Sequence, residues 1–464
     1  MTESAGLLQR LRGAWRGMTD SFGGTVKPDL TSASDIDQLR EQMRSCLEAR
    51  GGEVSARGRA AGLGRTYLEL DRGGRERFLK TLAEDFGVDD DQVSSELAAM
   101  QEIEPHEREA AYSSLRLALE PGRLKLLTQF NELPEGVKFL VDLRADLSRL
   151  TKKSAAFRSL DGDLRRLLAS WFDIGFLELR RIRWESSASL LEKLIAYEAV
   201  HEIRSWDDLK NRLDSDRRCF AFFHPRMPDE PLIFVEVALV NGLAGNVQEL
   251  LDEEAPVIDP NDADTAIFYS ISNAQRGLAG ISFGGFLIKR VVDVLQSEFH
   301  GLKTFSTLSP IPGFRDWLDA QLEANDNMLL SESEATALRA AATLPAEEAQ
   351  PLQVILATSN WIEDEQISAA VEPILMRLCA HYLLREKGHS GRAKDPVANF
   401  HLTNGALVER ICWKGNATPP GMLRSYGMMV NYLYKLDKIE ENHESYTGDR
   451  KIKASTNVNL LLKN

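Results

Sequence analysis

The chain has 464 residues, of which 43% are hydrophobic and 27% are charged, and its formal net charge is -14. This length exceeds one ordinary core, so two or three domains are expected, with a composition typical of folded globular proteins. The acidic balance argues against broad nucleic-acid binding, and the lack of 18 consecutive apolar residues argues against a membrane span.

Metal and disulfide chemistry find no support in the sequence. The histidines show no HExxH spacing, and the cysteines are scattered without CxxC spacing at Cys46, Cys219, Cys379 and Cys412. We therefore predict no metal site and a reducing compartment. Apolar and arginine side chains alternate near the N-terminus, as in a targeting peptide, but Glu3 and Asp20 flank them. We expect an untargeted, cytoplasmic protein.

The first half of the chain is predicted to be helical. From about residue 33 to about 200, apolar residues recur at helical spacing in the segments 74–86, 107–120, 136–150 and 163–182. Ser34 with Asp37 is typical of a helix start, and Gly51-Gly52 is typical of a stop. This half is expected to form an all-α bundle.

After Trp206 the pattern changes to strands mixed with helices. The runs 219–224 and 231–240 are predicted strands, and the second is apolar at nearly every position, as in a central strand covered on both faces. A third run, 265–272, leads into a glycine-rich turn that opens a helix. Mixed periodicity of this kind indicates a mixed α/β domain.

The glycine-rich turn covers residues 275–285, and the helix follows from residue 286. Glycines before a helix let backbone N–H groups approach an anion, and the helix dipole adds partial positive charge. A phosphate or pyrophosphate is the expected ligand, although neither GxGxxG nor GK[ST] is present. The alternative is a connection that only packs helix on sheet.

Two polar side chains stand out as candidate catalytic groups. Ser309 precedes Pro310 at a predicted strand end, and proline restricts the residue before it to extended backbone. A rigid exposed hydroxyl suits a catalytic site, but a structural corner is the simpler interpretation of this segment. His401 lies beside Phe400 and shortly before the turn-forming Asn404-Gly405, and a lone histidine of this kind is more often structural.

Several motifs, in this order along the chain, resemble the malonyl-CoA decarboxylase family. They are FYSIS at 268–272, QRGLAGISFG at 275–284, FLIKRVV at 286–292, LSPIPGF at 308–314 and PVANFHLTNGA at 396–406. Further matches lie at 197–201, 431–434 and 451–455, so the resemblance covers most of residues 185–455. The order strand, glycine-rich loop, helix and strand is also similar to the coenzyme A site of the GNAT acyltransferase fold.

The resemblance implies an α+β multidomain protein, with a helical oligomerisation domain at 1–188 and a GNAT-like catalytic domain at 189–464. It implies a homo-oligomer in which Ser309 and His401 are catalytic. Ser270 and Tyr434 would support the substrate site. The coenzyme would contact Ala279, Gly280, Ile281, Ser282, Phe283, Gly284 and Gly285. Animal members of the family carry a glutamate where this chain has Ser282, so this chain departs from the family by having no acidic side chain at that position.

The activity implied by the resemblance is the conversion of malonyl-CoA to acetyl-CoA and carbon dioxide, in fatty acid or malonate metabolism, without metal or organic cofactor. Hydrogen-bond donors would stabilise the thioester enolate. His401, as a residue that usually titrates near neutrality, would protonate it. Ser309 would either bind the malonyl carboxylate or orient His401. The alternatives are a GNAT-type acyltransferase, which needs an acceptor, and a non-enzymatic regulator that binds acyl-CoA.

Overall fold

The protein is described by a computed structural model, and residues 15, 27–48, 52–102, 104, 108–281, 284–324, 329–358 and 360–463 are the described part of the chain. Contacts divide the chain into two units. The helical unit comprises 1–178 with the short segments 223–232 and 275–281, and the sheet unit comprises 179–222, 233–274 and 282–464. The predicted division into independently folding domains at 188/189 remains a prediction.

Eight helices of the helical unit lie within the described residues. They are α1 (Ala33–Leu47), α2 (Gly52–Glu69), α3 (Arg72–Glu84), α4 (Asp90–Gln101), α5 (Arg108–Ala118), α6 (Arg123–Asn131), α7 (Gly136–Ser148) and α8 (Ala155–Trp171). Helix α7 is the most deeply buried, and Phe139 on it packs edge-on against Trp15 and Tyr67. This aromatic cluster forms the core that the helical periodicity predicted.

A buried ion pair joins two of these helices. Arg123 at the start of α6 and Asp163 on α8 lie 2.7 Å apart, and both side chains are about 5% exposed or less. Arg123 also donates hydrogen bonds to the carbonyl of Ala83 and to Ser159. Because both charges are desolvated, removing Asp163 would leave the charge of Arg123 buried without its acidic partner.

Two details of the helical half differ from the sequence prediction. Helix α1 is capped by Ser32, whose hydroxyl accepts the Asp35 N–H, so the predicted start at Ser34 is two residues late. The predicted helix 163–182 ends at Trp171, and Glu178–Ile182 form strand β1. The cause is a turn in which the Asp173 side chain accepts the Gly175 N–H, which interrupts the helical ladder.

One eight-stranded sheet organises the sheet unit. Its strands are β1, β2 (Arg217–Phe223), β3 (Ile233–Val240), β4 (Thr265–Asn273), β5 (Thr304–Thr307), β6 (Ser309–Pro310), β7 (Leu407–Cys412) and β8 (Met429–Leu433). The order is β1-β2-β3-β4-β5-β8-β6, and β7 pairs with β8. The β4–β5 pair is parallel and its neighbours are antiparallel. Strand β3 is almost wholly buried, which confirms the prediction of a central strand.

Helices connect and cover these strands. They are α9 (Ala188–Tyr197), α10 (Trp206–Asn211), α11 (Val247–Leu250), α12 (Gly284–Glu298), α13 (Phe314–Glu323), α14 (Glu332–Ala341), α15 (Pro351–Leu356), α16 (Glu365–Leu384), α17 (Pro396–Thr403), α18 (Pro419–Ser425), α19 (Ile439–Thr447) and α20 (Thr456–Leu460). Helix α12 is the crossover between the parallel strands β4 and β5, and its apolar face is buried as predicted. The α+β class of the prediction is confirmed.

Helix α16 is the one described helix that is long and apolar enough to cross a bilayer. Half of its apolar window is buried inside the protein, and its inward residues include Val371, Ile374 and Leu378. Burial of this kind is what a core helix shows, so its length is weak support for a membrane span.

Candidate active site

His401 lies in the last turn of α17. The helix begins at Pro396, and the carboxylate of Asp395 caps it by accepting the N–H groups of Val397 and Ala398 at 2.9 and 2.8 Å. The chain then turns at Gly405, whose φ of +81° is in the left-handed region and whose missing side chain leaves room for a backbone carbonyl. These signals fix the two ends of the helix that carries His401, whose side chain is 3% exposed.

Ser309 begins the short strand β6, which pairs antiparallel with β8 through Val430. Ser309 follows the end of β5 at Thr307 by two residues, as predicted, but it begins a strand of its own, and the expectation of an exposed hydroxyl is wrong. The side chain is 5% exposed. Pro310 cannot donate to the ladder and restricts Ser309 to extended backbone, so the hydroxyl is held rigidly.

The fold brings Ser309, His401 and Tyr434 together, although they are far apart in sequence. The hydroxyl oxygen of Ser309 lies 3.1 Å from Nε2 of His401, and the hydroxyl of Tyr434 lies 2.8 Å from Nδ1. The ring of Tyr432 stacks on the imidazole with centroids 4.6 Å apart and an interplanar angle of 24°. Both ring nitrogens are thus occupied, and the plane of the ring is fixed.

Burial sets the charge state of this cluster. It lowers the pKa of His401 to about 3 and raises that of Tyr434 well above its usual range, so both groups are neutral at pH 7. The expectation that His401 titrates near neutrality does not hold in this environment. A neutral imidazole flanked by a hydroxyl on each side can pass a proton from one to the other.

Ser270 lies on β4 and contacts a carboxylate. Its hydroxyl is 2.8 Å from each carboxylate oxygen of Glu198, which also accepts from Ser272 and from the backbone N–H of His201. Among the described residues, no hydrogen bond joins Ser270 to Ser309 or His401. The last registered β4–β5 pair is Phe268 with Thr307. Ser270 and Ser309 each lie two residues beyond that pair along the chain, Ser270 within β4 and Ser309 at the start of β6.

Of the predicted coenzyme loop, the structure describes Ala279, Gly280 and Ile281, in the helical unit, and Gly284 and Gly285, in the sheet unit. Gly280 has a φ of +78°, a conformation that strongly favours glycine, and the arm of Arg165 passes 4.0 Å from where a side chain would begin. Arg144 donates to the carbonyls of Gly277 and Ala279 and thereby holds the loop. Ser282 and Phe283 lie outside the described residues, and Gly284 and Gly285 begin α12.

Sequence reasoning missed three residues of the site. Thr307 accepts a hydrogen bond from Ser309, Asn431 donates to the Thr307 carbonyl at 2.7 Å, and Tyr432 stacks on His401. The period of two along a strand places Thr307 and Ser309 on one face and could have suggested Thr307. The contacts of Asn431 and Tyr432 depend on the pairing of β8, which no local pattern specifies.

Comparison with known proteins gives consistent results. Residues 175–464 match the sequence model described as the malonyl-CoA decarboxylase C-terminal domain, and residues 86–172 match that of the N-terminal domain. "Malonyl-CoA decarboxylase, mitochondrial" of Mus musculus is 41% identical over 404 residues, which is 84% of this chain and 82% of the mouse protein. That of Anser anser anser is 38% identical over 97% of this chain and 92% of its own length.

The chain also resembles a solved structure over most of its length. The crystal structure of malonyl-CoA decarboxylase from Rhodopseudomonas palustris superimposes with a TM-score of 0.84 at 42% identity. The match covers 92% of this chain and 99% of the bacterial one.

Proposed function

The chain belongs to the malonyl-CoA decarboxylase family and is a carboxy-lyase that acts on malonyl-CoA; we propose that His401, with Ser309 and Tyr434, supplies the proton of this reaction. One observation carries the proposal: the unbroken hydrogen-bonded row Ser309–His401–Tyr434, with distances of 3.1 and 2.8 Å. All three side chains are 5% exposed or less. A buried row of this kind can deliver a proton without opening the site to bulk water.

The first step breaks the bond between the malonyl carboxylate and Cα. Carbon dioxide leaves, and the bonding electron pair moves into the thioester as an enolate. A cation paired with the carboxylate would stabilise the starting state and lose that interaction in the transition state, which would slow the step. The neutral state of His401 avoids this cost, and its pKa of about 3 supports the proposal.

The second step places a proton on Cα. In the row, the Tyr434 hydroxyl donates to Nδ1 of His401, and the N–H at Nε2 is directed to the Ser309 oxygen. When Nε2 gives its proton to the enolate carbon, Nδ1 takes the proton of Tyr434, so the imidazole stays neutral and ends in the opposite tautomer. The row is restored when Nε2 takes a proton from water after the product leaves and Nδ1 returns its proton to the Tyr434 phenolate. Each turnover therefore consumes one proton from water and regenerates the Nε2–H tautomer. Ser309 has the role of orienting His401, and an enolate carbon is basic enough to drive the transfer.

Mass spectrometry of malonyl-CoA incubated with the purified protein alone in D2O tests this function. We expect acetyl-CoA that carries one deuterium in its methyl group, formed without any acceptor. A requirement for an amine or thiol acceptor would favour an acyltransferase instead, and tight coenzyme binding without turnover would favour a regulator.

We propose that the segment from Ala279 to Gly285 binds the coenzyme. The left-handed φ of Gly280, the start of α12 at Gly284 and the guanidinium arm of Arg165 beside Gly280 support this proposal, because backbone N–H groups and arginine both suit phosphate. Ser270 and Tyr434 are proposed as support of the substrate site, Ser270 because it lies on β4 two residues beyond Phe268, whose partner Thr307 is two residues before Ser309.

We also propose that the reaction needs neither a metal nor an organic cofactor, because the thioester carbonyl itself accepts the electron pair. Hydrogen-bond donors then stabilise the oxyanion. Prolonged dialysis against EDTA should leave kcat unchanged, and restoration of lost activity by a divalent cation would contradict the proposal.

Self-association is proposed through the hairpin of α4 and α5. Helix α4 has no buried residue, and apolar side chains on or next to the hairpin are exposed, among them Leu97, Tyr112 and Leu117. A helix pair that buries so little against its own chain is expected to be stabilised by a second copy. Light scattering should show dissociation in Leu117→Glu (70% exposed), whereas Leu423→Glu (66% exposed) should leave the assembly intact.

We propose a cytoplasmic location for this chain, whereas the mouse and goose relatives are named mitochondrial. The four cysteines are free and buried, which suits a reducing compartment. The N-terminal pattern lies, apart from Trp15, outside the described residues. Cell fractionation with an antibody to the chain tests the location, and enrichment in an organelle would contradict it.

A further inference from the structure

Thr307 lies next to the proposed proton-transfer row and has a hydroxyl with two hydrogen-bond donors directed at it. Ser309 donates its hydroxyl proton to Oγ1 of Thr307 at 2.8 Å, and the backbone N–H of Tyr432 donates to the same oxygen at 3.1 Å. Thr307 is fully buried. The oxygen therefore receives both donors in a buried environment, where each hydrogen bond is costly to lose.

These two contacts determine the direction of the hydrogen bonds in the row. Ser309 has one hydroxyl proton, and that proton is directed at Thr307. The Ser309 oxygen must then accept from Nε2 of His401, so Nε2 carries the ring proton and Nδ1 is the acceptor for Tyr434. Thr307 is thus linked to the tautomer of His401 through Ser309, which hydrogen-bonds to both.

The position of Thr307 is itself fixed by the sheet. Its carbonyl accepts from the side-chain amide of Asn431 at 2.7 Å, and it is in register with Phe268 of β4. The next residue, Leu308, donates its N–H to the carbonyl of Phe268 at 3.0 Å. Contacts on both sides, from β4 and β8, therefore leave the Thr307 side chain little freedom to reorient.

We propose that Thr307 is a positioning residue for the decarboxylation. Its hydroxyl oxygen accepts the only hydroxyl proton of Ser309, so the Ser309 oxygen must accept a hydrogen bond from His401. This keeps His401 in the Nε2–H tautomer that protonates the enolate. The inference rests on the function proposed above. A histidine in the wrong tautomer has its proton on the far side from the substrate, and in the serine protease triad such an error lowers kcat by about 10⁴-fold. Thr307 acts one residue further away, so we expect a loss of roughly 10- to 10³-fold.

The test compares three variants. Thr307→Val keeps the shape and removes the hydroxyl, whereas Thr307→Ser retains the hydroxyl and should rescue activity. Ser306→Ala is the matched control, because Ser306 is also buried on β5 and its hydroxyl donates to the Tyr432 carbonyl at 3.1 Å without contacting Ser309. Steady-state kinetics with malonyl-CoA gives kcat and KM for each, and circular dichroism with thermal melting verifies folding.

We expect Thr307→Val to lose kcat with KM within about twofold, and Thr307→Ser and Ser306→Ala to stay near the parent protein. Equal losses in Ser306→Ala and Thr307→Val would show a general packing effect and overturn the proposal. So would an unchanged kcat in folded Thr307→Val. If Thr307→Val does not fold, Thr307→Ala is tested under the same criteria.

The tautomer can also be measured directly, without an activity assay. Nitrogen-15 NMR of ring-labelled histidine in the full-length protein, with the His401 signal assigned by its loss in His401→Gln, reports which nitrogen carries the proton. We expect Nε2–H in the parent protein and a shift of the population toward Nδ1–H in Thr307→Val. Nδ1–H in the parent protein overturns the inference. An inactive protein with the expected tautomer would instead contradict the proposed function alone.

Discussion

The charge state of His401 can be tested by lowering the pH. The buried imidazole has its pKa lowered to about 3 from the ordinary 6.5, because burial penalises the charged form. At pH 5 an ordinary histidine is about 97% protonated, whereas His401 should be about 1% protonated. His401 should therefore stay neutral over the whole range in which an exposed histidine titrates.

The shift also has a consequence for stability. As the pH falls below 6.5 the unfolded chain binds a proton at His401 and the folded chain does not, so stability is fully present above pH 6.5 and is lost toward pH 3. A tenfold change in an ionisation constant corresponds to about 1.4 kcal/mol, so the full effect is roughly 5 kcal/mol. Between pH 7.5 and pH 5 the loss from this one group is about 2 kcal/mol.

Two measurements check this reasoning. Carbon-13 NMR of the histidine Cε1–H groups should show one signal that does not titrate between pH 8 and pH 5 and that is missing in His401→Gln. Urea unfolding at pH 7.5 and pH 5 should show a smaller loss of stability in His401→Gln than in the parent protein, by about 2 kcal/mol. A His401 signal that titrates near pH 6.5, or parallel stability curves for the two proteins, would refute the argument.

Three further outcomes are expected. His401→Ala should lower kcat by about 10²- to 10⁴-fold, with nearly normal malonyl-CoA binding by calorimetry. The double variant His401→Ala, Ser309→Ala should have a kcat only slightly lower than that of the poorer single variant. Multiplicative losses of kcat would mean that the two side chains act independently. Gly280→Val should weaken coenzyme A binding more than it lowers the melting temperature, because its φ is +78°; unchanged affinity in a folded variant would remove the loop from the site. Asp163→Ala should destabilise the protein to urea by about 3–5 kcal/mol by leaving Arg123 buried without its partner, and a change below 1 kcal/mol would contradict the buried pair.

Much of the architecture was determined by local sequence. In the first half, each helix buries one face, which produces apolar residues at helical spacing in the sequence. Strand β3 is buried on both faces, which produces a continuous apolar run. The same holds for the proline-flanked strand end at Ser309 and for the helix after Gly284, which rest on backbone restrictions of single residues. The strand β1 was missed because the apolar residues keep helical spacing beyond Trp171, whereas the turn between Asp173 and Gly175 ends the helix there.

The active site could be predicted only in part from the sequence. Resemblance to a family identified Ser309, His401 and Tyr434, but the contacts of Thr307 and the stack of Tyr432 on His401 arise from the pairing of β8 with β5 and β6. Likewise, the type of residue at 401 suggested titration near neutrality, and only its burial by the assembled sheet unit lowers the pKa to about 3. The sequence determines which groups are present, whereas distance and solvent access depend on segments far apart in the chain and are decided by the tertiary structure.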